Sequence, residues 1–334
     1  MSSRPTGTNE NISTYGDGTR DYTALSTWEA ATDNDLTASE VTEVLEGYAD
    51  SASFAEQVVI AGAVTSTTYF RILRAATDNE HGGEKNTGVL FIPSSTGNIA
   101  NINESNFKMS DIAFCGTWNT STARYVTSLG GTTSGIEITN VYLYDIANDG
   151  TGTASGWTML TNTHSIWVNC AVNNPDNDGM LSSISTAGSL VMYNCTMRHV
   201  GQRAFRNGNS TGENPILKNC LSDNAGIDDF FGTFASGTEF NASSDGTAPG
   251  TDSRTSQTFT WTSATSIFLA SGDGGAKDFG KDLSADATYA FSDDIRARNR
   301  PSGAEWDIGC DEQGATAGGG VTPRSDLLLL WVGA

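Results

Sequence analysis

Histidine, arginine and aspartate side chains are concentrated in two stretches of this sequence, where they could carry acid–base chemistry. The stretches are HVGQRAFRNGN (199–209) and DNAGIDDFFG (223–232). Cleavage of a sugar chain requires paired carboxylates at acid–base distance, or acids that hold calcium beside a basic residue that removes a proton. If the chain is an enzyme, the predicted site residues are Arg203, Arg206, Asp228 and Asp229.

These residues also have a simpler interpretation. Asp228 and Asp229 are adjacent, so on a strand their side chains would point to opposite faces. Arginine and aspartate on neighbouring loops commonly form exposed ion pairs, which stabilise a fold by under about 1 kcal/mol. The sequence therefore favours the absence of a catalytic site, and it predicts no cofactor.

An acidic loop, NNPDNDG (173–179), raises the question of calcium. Asp176 and Asp178 are spaced as oxygen ligands before Gly179. The loop lacks the distal glutamate that completes the usual calcium-binding pattern. A polar turn is the favoured interpretation, with calcium as the weaker alternative.

A repeated pair of residues indicates what positions these side chains. Asn-Cys occurs three times at intervals of 25 residues, at 169–170, 194–195 and 219–220. Asn-Val at 140–141 and Asp-Ile at 111–112 extend the series backward at intervals of 29 residues. Each unit is a short alternating strand followed by a polar loop, with no helix-length segment, so the units are predicted to stack as coils of a solenoid.

Stacking predicts the role of the repeated pair. Equivalent residues of successive coils lie about 4.7–4.9 Å apart, so each position forms a column. Asparagine tolerates left-handed backbone geometry at a coil corner, and its amide can bond to the residues above and below. The predicted ladder contains Asn140, Asn169, Asn194 and Asn219.

The second residue of each pair is predicted to form a buried apolar column beside this ladder, because free cysteine behaves as a small hydrophobe. Metal or redox chemistry is the disfavoured alternative, since no histidine lies at ligand spacing and the chain has no Cys-x-x-Cys pair. The predicted column contains Ile112, Val141 and the reduced thiols of Cys170, Cys195 and Cys220.

The net charge of the chain limits the classes of molecule that it is expected to bind. The 334-residue chain has a formal net charge of −21, so it lacks the basic patch that nucleic acid or an anionic membrane surface would require. No apolar run is long enough to span a bilayer, and the first residues lack a signal-peptide pattern, so export by the usual secretory route is not expected.

Aromatic residues within the coils leave a binding role open. They could stack on sugar rings if several face one groove, or they could fill the core of the solenoid. The residues are Trp118, Tyr125, Trp157, Trp167 and Tyr193.

The repeats resemble right-handed parallel β-helix proteins of the pectate-lyase-like architecture, and most closely the β-helix proteins of phage and environmental sequences. Residues 18–51 and 58–76 are similar to the amino-terminal segment of that group. Residues 241–249, 277–287 and 294–312 look like its carboxy-terminal coils. The resemblance implies the fold but leaves the activity open, because such sequences occur in virion fibres, adhesins and carbohydrate-active enzymes.

The predicted architecture is all-β: a single-stranded right-handed parallel β-helix with a short N-terminal capping helix and an extended C-terminal tail. Residues 1–50 are expected to form an arm and cap, 51–312 the β-helix, and 313–334 a glycine-rich linker and an apolar tail. The cap is predicted from the helical spacing of Ala24, Leu25, Trp28 and Ala31. The tail residues predicted to drive assembly are Leu327, Leu328, Leu329, Leu330 and Trp331.

These observations favour a bacteriophage virion surface protein, either a capsid decoration protein or a fibre. Its expected partners are other copies of itself, with a trimer favoured, capsid or tail proteins, and host surface polysaccharide. The alternative is a β-helix protein that binds or degrades polysaccharide through the Arg203, Arg206 and Asp228 region.

Overall fold

The chain winds into a parallel β-helix of three sheets. The structure is a computed structural model that describes residues 3–92, 97–130, 132–160, 163–183, 188–208 and 213–316. All paired strands within each sheet are parallel, and from the fourth to the twenty-first strand the chain visits the three sheets in rotation. The predicted right-handed parallel β-helix is confirmed, while the predicted C-terminal tail lies outside the described residues.

Sheet I begins with the first strand of the chain and contains eight strands in the described part of the chain. Its strands, in spatial order, are β1 (Glu10–Tyr15), β2 (Thr42–Gly47), β4 (Arg71–Ala75), β7 (Lys108–Ser110), β10 (Ile136–Thr139), β13 (His164–Val168), β16 (Ser189–Tyr193) and β19 (Ile216–Lys218).

Sheets II and III each contain seven strands within the described ranges. Sheet II consists of β5 (Leu90–Phe91), β8 (Ala113–Trp118), β11 (Tyr142–Asn148), β14 (Ala171–Pro175), β17 (Thr196–Arg198), β20 (Leu221–Asp223) and β22 (Ala242–Ser243). Sheet III consists of β3 (Val58–Ile60), β6 (Ala100–Ile102), β9 (Arg124–Leu129), β12 (Ala154–Leu160), β15 (Met180–Ser183), β18 (Arg203–Asn207) and β21 (Asp228–Phe231).

Columns of apolar side chains fill the interior of the solenoid. Because strands pair in register, one inward position of each coil lies directly above its equivalent in the next. A continuous inward column of sheet I is fully buried, and its members are Leu45, Leu73, Met109, Ile138, Trp167, Met192 and Leu217.

Two short helices cover the first coil. Helix α1 (Leu25–Thr32) buries Leu25 and Trp28 against the solenoid core, and α2 (Leu36–Ser39) follows it. The Glu29 carboxylate accepts a hydrogen bond from the backbone N–H of Ala61, just beyond edge strand β3 (3.2 Å). The helix therefore occupies the end of sheet III, consistent with the predicted cap, although the structure exposes Ala31.

The last described residues turn back along the outside of the solenoid. We call residues 255–316 the strap. Its apolar side chains pack on the outer face of sheet I around Ile166 and Tyr193, and on that of sheet II around Tyr142. The strap residues in these contacts are Ile267, Phe268, Leu283, Tyr289, Phe291, Ile295, Trp306 and Cys310.

This path differs from the one that the resemblance implies for the C-terminal residues. The resemblance predicts further coils for residues 277–287 and 294–312, but they lie on the outer faces, and β22 is the last solenoid strand among the described residues. The outer faces of sheets I and II carry large apolar side chains that need cover, which explains the reversal. In the described part of the chain, no helix is both long and apolar enough to cross a bilayer.

Candidate functional site

The first predicted site residues form an ion pair on the outer face of sheet III. Arg203 on β18 lies directly opposite Asp228 on β21, and Arg203 Nε is 3.2 Å from Asp228 Oδ2. The Arg203 guanidinium also lies over the Phe231 ring, 4.2 Å from its centroid. Both charged side chains are partly exposed, so the pair faces solvent.

Arg206 has a different partner. Its Nη1 donates to Asp178 Oδ2 at 2.7 Å, and the Asp178 side chain is completely buried. Asp178 Oδ1 also accepts a hydrogen bond from the backbone N–H of Arg203 (3.3 Å). In the sequence Asp178 fits a polar turn and gives no sign of this contact, although Asp178 precedes Arg203 by one 25-residue coil.

Asp229 points away from the ion pairs and organises a turn. It is 1% exposed, and its oxygens accept hydrogen bonds from Ser222 Oγ (2.6 Å), Ser244 Oγ (2.7 Å) and the backbone N–H of Asp245 (3.0 Å). Asp228 and Asp229 therefore share no space in which an acid and a base could act on one bond. Asp228 and Asp178 are each paired with an arginine, and Asp229 is bonded within a turn, so the region contains no acid–base pair.

The acidic loop at 173–179 does not gather its carboxylates. Asp178 is buried against Arg206, whereas Asp176 is exposed and accepts a hydrogen bond from the backbone N–H of Asn148 (2.6 Å). Among the described residues, no group of three or more His, Cys, Asp or Glu side chains is placed to hold a metal ion.

The asparagine column marks the corner between sheets I and II. Asn140, Asn169, Asn194 and Asn219 have φ angles of 51–52° and are at most 1% exposed. Asn140 Nδ2 donates to Asp111 Oδ1 (2.9 Å), and Asn219 Nδ2 donates to Asn194 Oδ1 (3.2 Å). The sharp corner of each coil thus rests on an asparagine in the left-handed region, where other L-residues are strained.

The same amides bind the backbone of the strap. Asn169 Nδ2 donates to the carbonyl of Asp293 (3.0 Å), and Asn194 Nδ2 donates to that of Gly309 (3.2 Å). Asn219 donates to the Lys281 carbonyl and accepts from the Lys281 N–H, both at 2.8 Å. The column therefore holds the strap by its main chain.

The first described residue, Ser3, meets the strap beside this column. The backbone N–H of Ser3 donates to Asp293 Oδ2 (2.7 Å), and Ser3 Oγ donates to Asn140 Oδ1 (3.2 Å). We call this contact the clasp. Burial raises the pKa of Asp293 to about 7, and the neighbouring Asp294 and Asp111 carboxylates add to the effect.

The cysteines are unpaired thiols. Cys170, Cys195 and Cys220 are fully buried in the same core cluster as Ile112 and Val141. Their thiols donate to main-chain carbonyls, as Cys170 Sγ does to Val168 O (3.3 Å). Burial raises the pKa of the Cys195 thiol well above its usual value, so this thiol stays protonated.

One histidine is a buried structural group. His81 Nδ1 accepts a hydrogen bond from the backbone N–H of Gly83 (2.8 Å), so Nε2 carries the proton and donates to the Asn140 carbonyl (2.6 Å). Burial lowers the pKa of His81 and keeps the ring neutral. His164, by contrast, is half-buried, with Nδ1 3.0 Å from Ser189 Oγ.

Comparison with known proteins adds no relative. No protein-family model, curated protein or solved structure matches this chain.

Three of the coil aromatics, Trp118, Trp157 and Trp167, fill the interior, whereas Tyr193 lies on the outer face of sheet I under the strap. Trp118, Trp157, Trp167 and Tyr193 are at most 4% exposed, and the Trp157 and Trp167 rings lie 4.6 Å apart in the core. Tyr125 is half-buried on β9. These residues do not form the sugar-stacking groove that the sequence left open.

Proposed function

We propose that this protein is a structural component of a bacteriophage virion surface, either a capsid decoration protein or a fibre. The observation that carries the proposal is the strap, which is held to the coil corners through Asn169, Asn194 and Asn219 and joined to Ser3 by the clasp. A solenoid fastened along its length by its own chain suits a stiff exterior part better than an enzyme that must admit a substrate.

The state of the candidate catalytic residues supports the same proposal. Arg203, Arg206 and Asp228 are held in ion pairs, and Asp229 is buried in a turn. Each of these side chains already binds a neighbouring group of the fold, and the carboxylates of Asp228 and Asp229 lie in different surroundings.

Assembly would use copies of the chain. The apolar residues 326–334 supply a segment that can bundle around a symmetry axis, and a trimer is favoured. This segment lies outside the described residues, so its proposed role depends on its sequence alone. Capsid or tail proteins are the other proposed partners.

Purified virions provide the test of the proposed role on the virion surface. Density-gradient-purified virions of the phage that carries this gene should contain the protein by mass spectrometry, and antibodies against it should decorate intact particles in electron micrographs. A protein found only in the soluble fraction of the lysate would contradict the proposal.

A second candidate function is binding of host surface polysaccharide on sheet III. Phe231 is 41% exposed, and the Arg203 guanidinium lies over one side of its ring, so together they offer aromatic surface and a cation to a sugar chain. The expected activity is binding without cleavage, because Asp228 and Asp229 share no reaction space.

Glycan binding tests the second candidate. Immobilised acidic polysaccharides should retain the native protein, and Phe231→Ala or Arg203→Ala should reduce retention without changing the melting temperature by more than a few degrees. Release of reducing ends or unsaturated sugars, lost in Asp228→Ala, would instead show a polysaccharide-degrading enzyme.

A further inference from the structure

A pocket of ≈ 200 Å³ lies over the outer face of sheet II, away from the ion pairs of sheet III. Its base includes Tyr142 of β11, one side is the loop around Lys85, and the other side is the strap turn that contains Thr265 and Phe268. The pocket therefore lies between the solenoid and the strap.

The loop side of the pocket is rigid. Gly83 donates its N–H to His81 Nδ1, and His81 is held in turn by the Asn140 carbonyl. Gly83 has a φ of +76°, and a Cβ at this position would lie 2.7 Å from the Phe268 ring. Only glycine allows the loop to approach the strap this closely.

The strap side is held by two buried polar side chains. Arg198 Nη1 donates to the carbonyls of Ser263 (3.2 Å) and Ser266. Asn173 Nδ2 donates to the Thr265 carbonyl (2.8 Å) and to the Tyr142 hydroxyl (3.3 Å). Asn173 is 1% exposed, and its Oδ1 has no hydrogen-bond partner among the described residues, so an unused acceptor lies next to the base of the pocket.

The charges around the pocket oppose an anionic ligand. The Lys85 ammonium is already 2.8 Å and 2.9 Å from the two Asp145 carboxylate oxygens, and Glu84 adds an exposed negative charge. The side chains of Thr262, Ser263 and Thr265 are exposed and carry hydroxyls, while Tyr142 and Phe268, which are 1% and 5% exposed, line the buried part of the pocket. Aromatic surface with a few convergent hydroxyl, amide and carbonyl groups is suited to a neutral polyhydroxylated ring.

We propose that this pocket binds one neutral hexose-sized sugar unit between the strap and the solenoid. Because the sugar contacts the loop at 83–85 and the strap turn at 262–268 together, its binding also fastens the strap. At a sugar concentration ten times Kd, hydrogen exchange through opening of the strap turn should slow by about 11-fold.

Ligand-observed NMR tests the proposal with the methyl glycosides of glucose, galactose and mannose and with methyl glucuronide as probes. At least one neutral glycoside should show saturation transfer from the native full-length chain. The pocket variant is Thr265→Trp, which fills the space with an indole from an exposed position. The matched control is Ala264→Trp, because Ala264 is the exposed neighbour outside the pocket.

Binding should be lost in Thr265→Trp and kept in Ala264→Trp, with both variants melting as the native protein does. Phe231→Ala should leave this binding intact, which separates the pocket from the polysaccharide surface proposed on sheet III. The proposal is overturned if no neutral glycoside binds, if only the glucuronide binds, or if Thr265→Trp binds as the native protein does.

Discussion

Arg203 and Arg206 lie three positions apart on β18, but their partners differ in burial. Asp228 is partly exposed, whereas the Asp178 side chain is completely buried. When a buried carboxylate loses its partner, its charge stays buried without compensation, which destabilises the fold strongly. When an exposed carboxylate loses its partner, water solvates the charge, and the loss of stability is small.

Two arginine substitutions test this difference. Arg203→Ala should reduce the free energy of unfolding by about 1 kcal/mol or less. Arg206→Ala should cost about 2 kcal/mol, a value discounted from that of a fully buried pair because a third of the Arg206 side chain is exposed. Urea denaturation of both variants checks the prediction, which equal losses would contradict.

The corner asparagines combine a backbone role with a side-chain role. Asn219→Ala places a strained residue at φ 52° and removes the bonds to Lys281 and Asn194. We expect a loss of about 2–4 kcal/mol in the free energy of unfolding. Asn224→Ala is the matched control, because Asn224 has a φ of 63° but an exposed side chain. Asn224→Ala should reduce the free energy of unfolding by only about 1 kcal/mol, from backbone strain alone. An equal loss in both variants would show that the Asn219 side-chain hydrogen bonds do not contribute to stability.

The clasp should depend on pH through Asp293. Its folded-state pKa of about 7 lies above the ordinary value, so the folded chain holds a proton that the unfolded chain releases. The stability from this group is fully present below about pH 4 and is lost as pH rises to about 7, with a magnitude on the order of 4 kcal/mol.

Asp293→Asn isolates that contribution, since other buried carboxylates such as Asp307 also have raised pKa values. The difference in unfolding free energy between the native protein and the variant should change between pH 4 and pH 7, with the native protein losing more stability. A difference that is constant over this range would exclude Asp293 as the titrating group.

At the scale of elements, the strap is an addition to a solenoid that has its own core. Trp306 is 1% exposed and packs against Phe291 and the outer face of sheet I. Truncating such a side chain typically costs 3–5 kcal/mol. In Trp306→Ala this loss of stability should affect the packing of the strap and leave the interior columns of the solenoid intact.

Cysteine labelling reports each part separately, because Cys310 belongs to the strap and is buried against sheet II, whereas Cys170 lies inside the coils. In Trp306→Ala, a thiol reagent should modify Cys310 well before Cys170. Phe279→Ala, which truncates a strap ring that is 40% exposed, serves as the control and should leave both thiols slow. Equal rates for the two thiols in Trp306→Ala would mean that strap and solenoid unfold together.

The coils could be predicted from sequence because a parallel solenoid repeats each structural task at a fixed interval. Asn169, Asn194 and Asn219 occur one coil apart and share one conformation. The strap has no such period, and its contacts join residues far apart in the chain, as the 124 positions between Asn169 and Asp293 show. The partner of Arg206 could not be predicted from the sequence because Asp178 also fits a polar turn.

At the scale of the whole molecule, association is proposed to depend on residues 326–334. Burying four leucines would contribute roughly 6–12 kcal/mol, while bringing two molecules together costs roughly 4–15 kcal/mol. One tail is therefore marginal, and several tails bundled together would hold.

Deletion of residues 324–334 tests the tail. The shortened chain should stay folded but sediment as a monomer and fail to attach to particles. The near-ultraviolet spectrum should match that of the native protein, because the strap and clasp are retained. Unchanged assembly would contradict the role of the tail, and so would unfolding of the shortened chain.

The clasp can form only late in synthesis of the chain. Ser3 leaves the ribosome 290 positions before Asp293, its partner. At about 5–20 residues per second this interval lasts roughly 15–60 s. In the later part of that time, after Tyr142, Ile166 and Tyr193 have been synthesised, the outer faces of sheets I and II lack the strap that covers these residues. Nascent chains would therefore present apolar surface to one another on a polysome, so slower initiation or a bound chaperone should raise the yield of soluble protein.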